Sequence, residues 1–297
     1  MSFDAKFFEL LQGDLTTLDE LQAGEHKTMA EQIIELSKEI TRLTAPTKFA
    51  KTDMYRWRAL FDIYLQACIF FSTREQDHGS RRSSVAARQL DWFQSEVTKQ
   101  GIPQAFKLPA SRQALDRFVA INITLLQNLK FQEINQKAIG KILKKFDKRT
   151  QLGATATFPK LIQSDAIMSH TMAKAVCAQV TSDIVGITPQ IDDEDYTCPI
   201  CSTIAWRPIR LDCQHVLCSK CTVELQKTYK YNCPMCRRLK VVKDATEDNI
   251  DEELIKKLKK YFPKETREKR IELETIDGIA RFGPSYKHPS EDKCMVM

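Results

Sequence analysis

Glycine is scarce in this chain, with 9 in 297 residues. So little glycine argues against a β-sandwich or a low-complexity protein, both of which need turn residues at short intervals. Long apolar runs are missing as well. The most apolar stretch, "IYLQACIFF" at 63–71, is too short to span a bilayer and follows Arg56, Arg58 and Asp62. No N-terminal segment joins the charged, apolar and small-residue parts of a secretory signal. The expected setting is therefore the cytoplasm or nucleus, where thiols stay reduced. Nor is there a general excess of charge. The net +6 does not by itself announce a nucleic-acid binder, because the basic residues are concentrated locally.

What the chain does have is helical periodicity. Residues 1–150 read as helices throughout, with "AKFFELLQGDLTTLDELQA", "MAEQIIELSKEITRL" and "YRWRALFDIYLQACIFF" carrying apolar residues at helical spacing. "STREQDHGSRRSS" (72–84) reads as a loop or helix end, followed by a helix through Trp92 and Phe93. A helix from about Ser111, with Leu115, Phe118, Val119 and Ile123 on one side, precedes a lysine-rich one. An antiparallel helical bundle is the natural assembly. In "KAIGKILKKFDK" (137–148), Ile139, Ile142, Leu143 and Phe146 form an apolar stripe, and Lys137, Lys141, Lys144, Lys145 and Lys148 lie opposite. That face is either a solvated surface or an anion-binding one. Only Glu133 and Asp147 border it.

Further on, "SDAIMSHTMAKAVCAQV" reads as a helix with Ser164 as its N-cap, and "IDDEDY" (191–196) as a solvated boundary. "DNIDEELIKKLKKYF" (248–262) is amphipathic through Ile250, Leu254, Leu258 and Phe262, with Pro263 ending it. The final thirty residues read as mostly irregular. Four segments result: a helical bundle over 1–150, a helical connector with an acidic linker over 151–195, a cysteine-rich module over 196–240, and an amphipathic helix with a flexible tail over 241–297.

Ten cysteines in a reducing compartment need an explanation other than disulfides. Cys198, Cys201, Cys213, His215, Cys218, Cys221, Cys233 and Cys236 make four close pairs, enough for two tetrahedral zinc ions taking two pairs each. A thioredoxin-like Cys-x-x-Cys needs a βαβ context and would not recur with a Cys-x-His between. With all eight positions filled by protein ligands, the ions are structural. Spacing alone leaves three ways of joining the pairs. Cys68 and Cys177 fall outside the pattern and read as core residues of apolar helices.

The order of three Cys, one His and four Cys resembles the C3HC4 RING finger over 196–240. The resemblance implies an interleaved cross-brace: Cys198, Cys201, Cys218 and Cys221 on one zinc, Cys213, His215, Cys233 and Cys236 on the other. It also implies an E3 ubiquitin ligase of the RING type, which binds a ubiquitin-charged conjugating enzyme and forms no covalent intermediate with ubiquitin. Ile200, Leu225 and Pro234 match the family's shallow docking groove, and Arg237 matches the arginine that clamps ubiquitin. Packing within the small domain is the competing role for Ile200, Leu225 and Pro234. Leu225 stands where many RING domains place Trp.

"INQKAIGKILKKFDKRT" (134–150) resembles the most distinctive segment of the SPX domain, a helical domain that binds inositol pyrophosphates and other phosphate-rich ligands. That likeness implies that Lys145 joins a phosphate-binding cluster and that Lys141, Lys144 and Lys148 form the neighbouring lysine surface. An SPX-like region before a RING resembles plant ligases that control phosphate transporters, and their fungal relatives, so the implied substrate is a protein of that kind. SPX domains open with a hairpin supplying a Tyr and a Lys to the same site. No Tyr-x3-Lys matches it here, so an incomplete SPX-like bundle is expected.

Two other readings stay open: a non-enzymatic phosphate-signalling adaptor, and a zinc-dependent nucleic-acid-binding protein drawing on Arg207, Arg210 and "RRLKVVK" (237–243). Nucleic acid is set aside as a partner, because the helix "TVELQKTYKY" after the knuckles is mixed in character. The chain ends "CMVM", the pattern for farnesylation of Cys294. One such lipid implies weak, reversible membrane association of an otherwise cytoplasmic protein.

Overall fold

The computed structural model describes residues 3–46, 52–72, 79–154, 180, 182–184, 188 and 195–289. The chain forms two compact units, Met1–Thr188 and Pro189–Met297. The helix expected over 164–180 with Ser164 and Cys177, the acidic residues 191–194, and Cys294 lie outside the described residues.

The first unit is built on two long helices, α1 (Phe3–Thr44) and α5 (Pro109–Thr150), of 42 residues each. Sequence patterning divides each of them in two, and the structure runs straight through. A helical glycine costs about 1 kcal/mol relative to alanine, and burial of Leu15 and Met29 on either side carries α1 past Gly24. α2 (Met54–Ala67) is shorter than its apolar run. Cys68 takes a left-handed conformation as the C-cap, half-buried rather than in the core, and donates to Leu65 O at 3.3 Å. The chain then leaves the helix for a two-residue hairpin, β1 (Phe71–Ser72) against β2 (Gly79–Ser80). α3 (Ser83–Lys99) and the single turn α4 (Ile102–Ala105) lead to α5, with Pro109 in its first turn, where the missing N–H costs nothing.

The main core gathers Met29, Ile33, Leu36 and Ile40 of α1 with Trp57, Leu60, Phe61 and Tyr64 of α2, Phe93 of α3 and Phe118 of α5. The buried row of α5 runs Leu115, Phe118, Asn122, Leu125 and Leu129, so Ile123, expected on this side, is exposed. Val180 and Ile184 join the same core, and the Ser37 hydroxyl donates to Asp183 O at 2.6 Å. A second, smaller core lies toward the other end of the pair, formed by Leu11 and Leu15 with Ile139, Leu143 and Ala154. Along α1 the buried Gln22 stands between the two cores, and along α5 the buried Gln132 does the same.

Asp53, just before α2, is fully buried and does not cap its own helix. Its carboxylate accepts from Lys107 N at 2.9 Å, Leu108 N at 3.0 Å and Ser111 Oγ at 2.8 Å, so it satisfies the amino end of α5.

The second unit holds β3 (Thr197–Cys198) paired with β4 (Thr203–Ile204), β5 (Pro208–Arg210) paired with β6 (Val216–Cys218), and α6 (Ser219–Lys227). α7 (Glu252–Tyr261) and α8 (Pro263–Phe282) follow. The irregular tail expected after residue 267 is thus helical as far as Phe282. Pro263 does end α7, but it also starts α8, where its fixed φ suits the first turn. These helices belong to the cysteine-rich module rather than trailing from it. Leu254, Leu258 and Phe262 pack on Ile204, and Asp251 N donates to Pro208 O at 2.9 Å. After Gly283 the chain folds back along α8: Tyr286 lies over Gly278, where any Cβ would collide with its ring, and His288 Nε2 meets Glu274 at 2.8 Å.

Asp251 joins α7 to the hairpin, accepting from Leu254 N at 2.8 Å as N-cap and from Arg210 Nη2 at 2.5 Å. Against desolvation, which raises it, the Leu254 N–H and the Arg210 guanidinium hold this carboxyl below the usual aspartate range. A depressed folded pKa means that its stabilising share is present above the unfolded value near 3.9 and is lost as pH falls through the lower folded value. Asp251→Ala is expected to cost about 1–2 kcal/mol at neutral pH, as loss of an N-cap does. Denaturant melts of the zinc-loaded protein at neutral pH check this cost.

Candidate metal centre and lysine surface

Two hairpins, one helix and the turn at 233–236 bring the eight ligands together. β3 and the turn after it carry Cys198 and Cys201, and the β6–α6 junction carries Cys218 and Cys221. Ser202 is left-handed and donates to Cys198 O at 2.8 Å, shaping the first knuckle. Cys213 and His215 lie on the β5–β6 turn, where Gln214 is left-handed. Arg237, also left-handed, closes the last knuckle by donating to Cys233 O at 2.9 Å.

The ligand atoms form two groups, Cys198, Cys201, Cys218 and Cys221, and Cys213, His215, Cys233 and Cys236, each with all donor atoms within 4.8 Å of one another. Of the three ways to join the pairs, the fold realises the interleaved one. Thiolates about 2.3 Å from one tetrahedral zinc lie roughly 3.8 Å apart, and Cys201 Sγ stands 4.0 Å from Cys218 Sγ. The donor chemistry points the same way. Burial pushes the Cys221 thiol up to about 12, and hydrogen bonding to Cys198, with burial, pushes Cys218 up. Four sulfurs so close resist ionising together until a cation sits among them. The two clusters fit two structural zinc ions, which supply folding energy and take no part in chemistry.

One contributor was not legible in the sequence. Lys269 of α8 is buried and paired with Glu272 at 3.0 Å. Despite desolvation, Glu272 and the charge of Cys201 and Cys218 hold its ammonium above the ordinary value. A buried cation beside a four-thiolate zinc offsets that centre's net negative charge. Nothing in a polar helix 48 residues beyond Cys221 would have signalled it.

Around the zinc loops, Ile200 is 42 % exposed, Pro234 and Arg237 are exposed, and Leu225 is half-buried against the core of the module. Met235 and Leu239 add exposed apolar surface beside them, with Leu239 73 % exposed. Both flank the last knuckle, and their exposure was the only available signal.

In the first unit Ile139 and Leu143 of α5 are buried, and Phe146 stacks on Phe7 at 4.3 Å. Ile142 is exposed, so the apolar stripe is narrower than periodicity implied. Lys137, Lys141, Lys144, Lys145 and Lys148 are all exposed. The two carboxylates bordering them serve structure instead. Glu133 accepts from Ser83 N and Ser83 Oγ, each at 2.7 Å, at the start of α3, and Asp147 accepts from Ala154 N at 2.5 Å. Among the described residues no ion pair involves any of the five lysines. Like charges one turn apart repel, a cost that a bound anion would relieve.

The family model for the SPX domain matches residues 1–162, and that for the C3HC4-type RING zinc finger matches 194–240. The SPX domain is therefore detected over the helical half of the chain. A Candida albicans protein named transcriptional regulator of yeast form adherence 3 is 37% identical over 302 residues, covering 100% of this chain and 59% of its own length. A RING finger protein of Schizosaccharomyces pombe is 38% identical over 282 residues, covering 92% of this chain and 58% of itself. The chain thus spans just under three fifths of the length of these relatives. The human E3 ubiquitin-protein ligase RNF138 is 34% identical over 59 residues, 20% of this chain and 24% of its own. No solved structure matches. These likenesses support a role of the RING ligase type. The chain belongs to the SPX domain family and carries a C-terminal RING finger of the C3HC4 type.

Proposed function

We propose that this protein is a RING-type E3 ubiquitin ligase whose SPX domain tunes or targets it through a phosphate-rich ligand. The observation that carries the reading is the pair of interleaved ligand clusters with Ile200 and Pro234 exposed on their two loops. A conjugating enzyme docks its loops against Ile200, Leu225 and Pro234. The Arg237 guanidinium then hydrogen-bonds ubiquitin and the enzyme together, holding the thioester in a conformation ready for attack. The substrate's lysine amine attacks the thioester carbonyl, the enzyme's thiolate leaves, and an isopeptide bond forms. No cysteine of this chain takes part in the transfer. Lys145, with Lys141, Lys144 and Lys148, receives the phosphates of an inositol pyrophosphate or polyphosphate, a reading supported by the absence of ion pairs to these lysines among the described residues.

The test is ubiquitin discharge from a panel of charged conjugating enzymes to free lysine, with and without inositol hexakisphosphate. Ile200→Ala is expected to weaken docking about tenfold or more, as loss of a central contact does. Arg237→Ala should slow discharge with docking retained. Lys145→Ala should remove any response to the ligand and leave basal discharge intact. If no enzyme in the panel discharges faster with the parent than with Ile200→Ala, the ligase reading is wrong. Should ligand binding survive that result, the adaptor reading takes its place.

A further inference from the structure

A second concentration of positive charge, beyond the α5 lysines, lies along one edge of the RING. Between Lys220 and Lys243 seven Lys and Arg side chains meet a single carboxylate, Glu224, so this stretch alone carries a net +6, as much as the whole chain. Treated as one helix, "TVELQKTYKY" is of mixed character. In the structure α6 stops at Lys227, and the chain turns through Thr228 and a left-handed Tyr229 at φ 56°. Lys230 N closes the turn by donating to Leu225 O at 2.9 Å.

The residues that follow are tied to a second segment. Val242 N donates to Tyr231 O at 3.0 Å, and Lys240 N donates to Asn232 Oδ1 at 3.2 Å. From α6, Gln226 Nε2 donates to Val242 O at 2.8 Å and Ala245 O at 3.0 Å. Residues 227–232 and 240–243 therefore form one braced edge.

On it Tyr229 is 79 % exposed, its ring 6.1 Å from that of Tyr231 and nearly perpendicular to it. Lys243 Nζ lies 5.7 Å from the Tyr231 ring centroid. Lys227, Lys230, Lys240 and Lys243 are exposed, and among the described residues none makes an ion pair. A ligand matching this edge must offer a flat aromatic face beside repeated negative charge. An acidic peptide offers the charge without the face, and a duplex keeps its base faces stacked inside. An unpaired strand offers both.

We propose that the edge formed by 227–232 and 240–243 binds single-stranded nucleic acid, with a base stacked on Tyr229 and phosphates held by Lys227, Lys230, Lys240 and Lys243. The site uses none of the residues assigned to the conjugating enzyme and does not depend on the ligase reading.

The experiment is fluorescence anisotropy of the full, zinc-loaded chain with a labelled oligothymidylate of about 15 nucleotides, long enough for one such site. Binding should be saturable, with log affinity falling against log salt at a slope of about −3 for four phosphates. Tyr229→Ala is expected to weaken it about tenfold, and Tyr229→Phe, which keeps the ring, to leave it near the parent value. Lys230→Glu with Lys243→Glu should roughly halve the slope. A variant with Lys141, Lys144, Lys145 and Lys148 all replaced by Ala should bind as the parent does. Zinc content measured on each variant separates a lost contact from a lost fold. The proposal is overturned if Tyr229→Ala binds like the parent, or if the helical lysine variant alone loses binding. Equal binding of a duplex of the same length, or equal competition by polyglutamate, overturns it as well.

Discussion

Stripping zinc from this protein is expected to unfold the RING while leaving the helical bundle intact. The module's own core has nine buried residues, and three of them, Cys198, Cys218 and Cys233, are ligands. These six aliphatic side chains, even with Ile204, Leu254, Leu258 and Phe262 packed beside them, cannot offset the ordering entropy of a domain this small, which is why metals are common at that size. Structural zinc supplies about 10–16 kcal/mol per site in small peptides at neutral pH, comparable with or larger than the net stability of a whole domain. The interleaving makes the loss cooperative. One cluster joins 198–201 to 218–221, and the other joins 213–215 to 233–236, so each ion closes a loop containing part of the other's ligands. Cys218→Ser or Cys233→Ser should therefore release both ions rather than one. After chelation, hydrogen exchange protection should vanish from β3 to α6 and weaken in α7, whose Leu254 and Leu258 rest on Ile204. The helices α1 to α5 should keep theirs. Survival of protection at Leu217 and Val242 in the metal-free protein would contradict this account.

Asp53→Ala should be the most damaging single change in the bundle. The carboxylate is wholly buried and accepts three hydrogen bonds, two from the main chain. Arg56 adds an ion pair at 3.7 Å, and Trp57 Nε1 donates to the same Ser111 hydroxyl at 3.4 Å. Alanine would leave the part-buried N–H groups of Lys107 and Leu108 without their acceptor and would free the amino end of α5 from α2. Hydrogen bonds to a charged group contribute about 1.5–3 kcal/mol each, and such sets add less than fully. A total of about 3–5 kcal/mol follows, or roughly 6–20 °C in the melting of a bundle this size at about 2–4 °C per kcal/mol. Asp53→Asn keeps one carbonyl acceptor and should lose less. A thermal melt of the Ala variant within a few degrees of the parent would rule the network out as a major support.

The contrast between these two sites explains what was legible beforehand. Eight ligands at fixed spacing are a local pattern with one chemical meaning, so the zinc centre could be read residue by residue, and only the pairing needed the fold or a resemblance. Asp53 is also a local pattern, an acid before a helix, and it misleads: its partners lie 54 to 58 residues away, at the start of α5. Helix periodicity located the bundle but could not join its segments, because Gly24 looks like a break until packing on both sides carries the helix across it. The C-terminal helix escaped notice for the opposite reason. Its buried positions, Thr266, Lys269 and Gly278, are not apolar side chains, so no stripe marked it.

The two cores along α1 and α5 divide the bundle's motion as well as its packing. Between them lie the buried Gln22 and Gln132, and the Gln22 Oε1 has no hydrogen-bond partner among the described residues. Apolar cohesion is therefore interrupted along the rod. Among the described residues, the end that carries the lysines rests on five buried residues, Leu11, Leu15, Ile139, Leu143 and Ala154, against the larger core beyond. Such an end is expected to open at a free energy below that of global unfolding, which native-state hydrogen exchange along residues 137–148 would read. An anion held by Lys145 and its neighbours would steady that end first, and could do so with little change in the temperature at which the rest of the bundle melts.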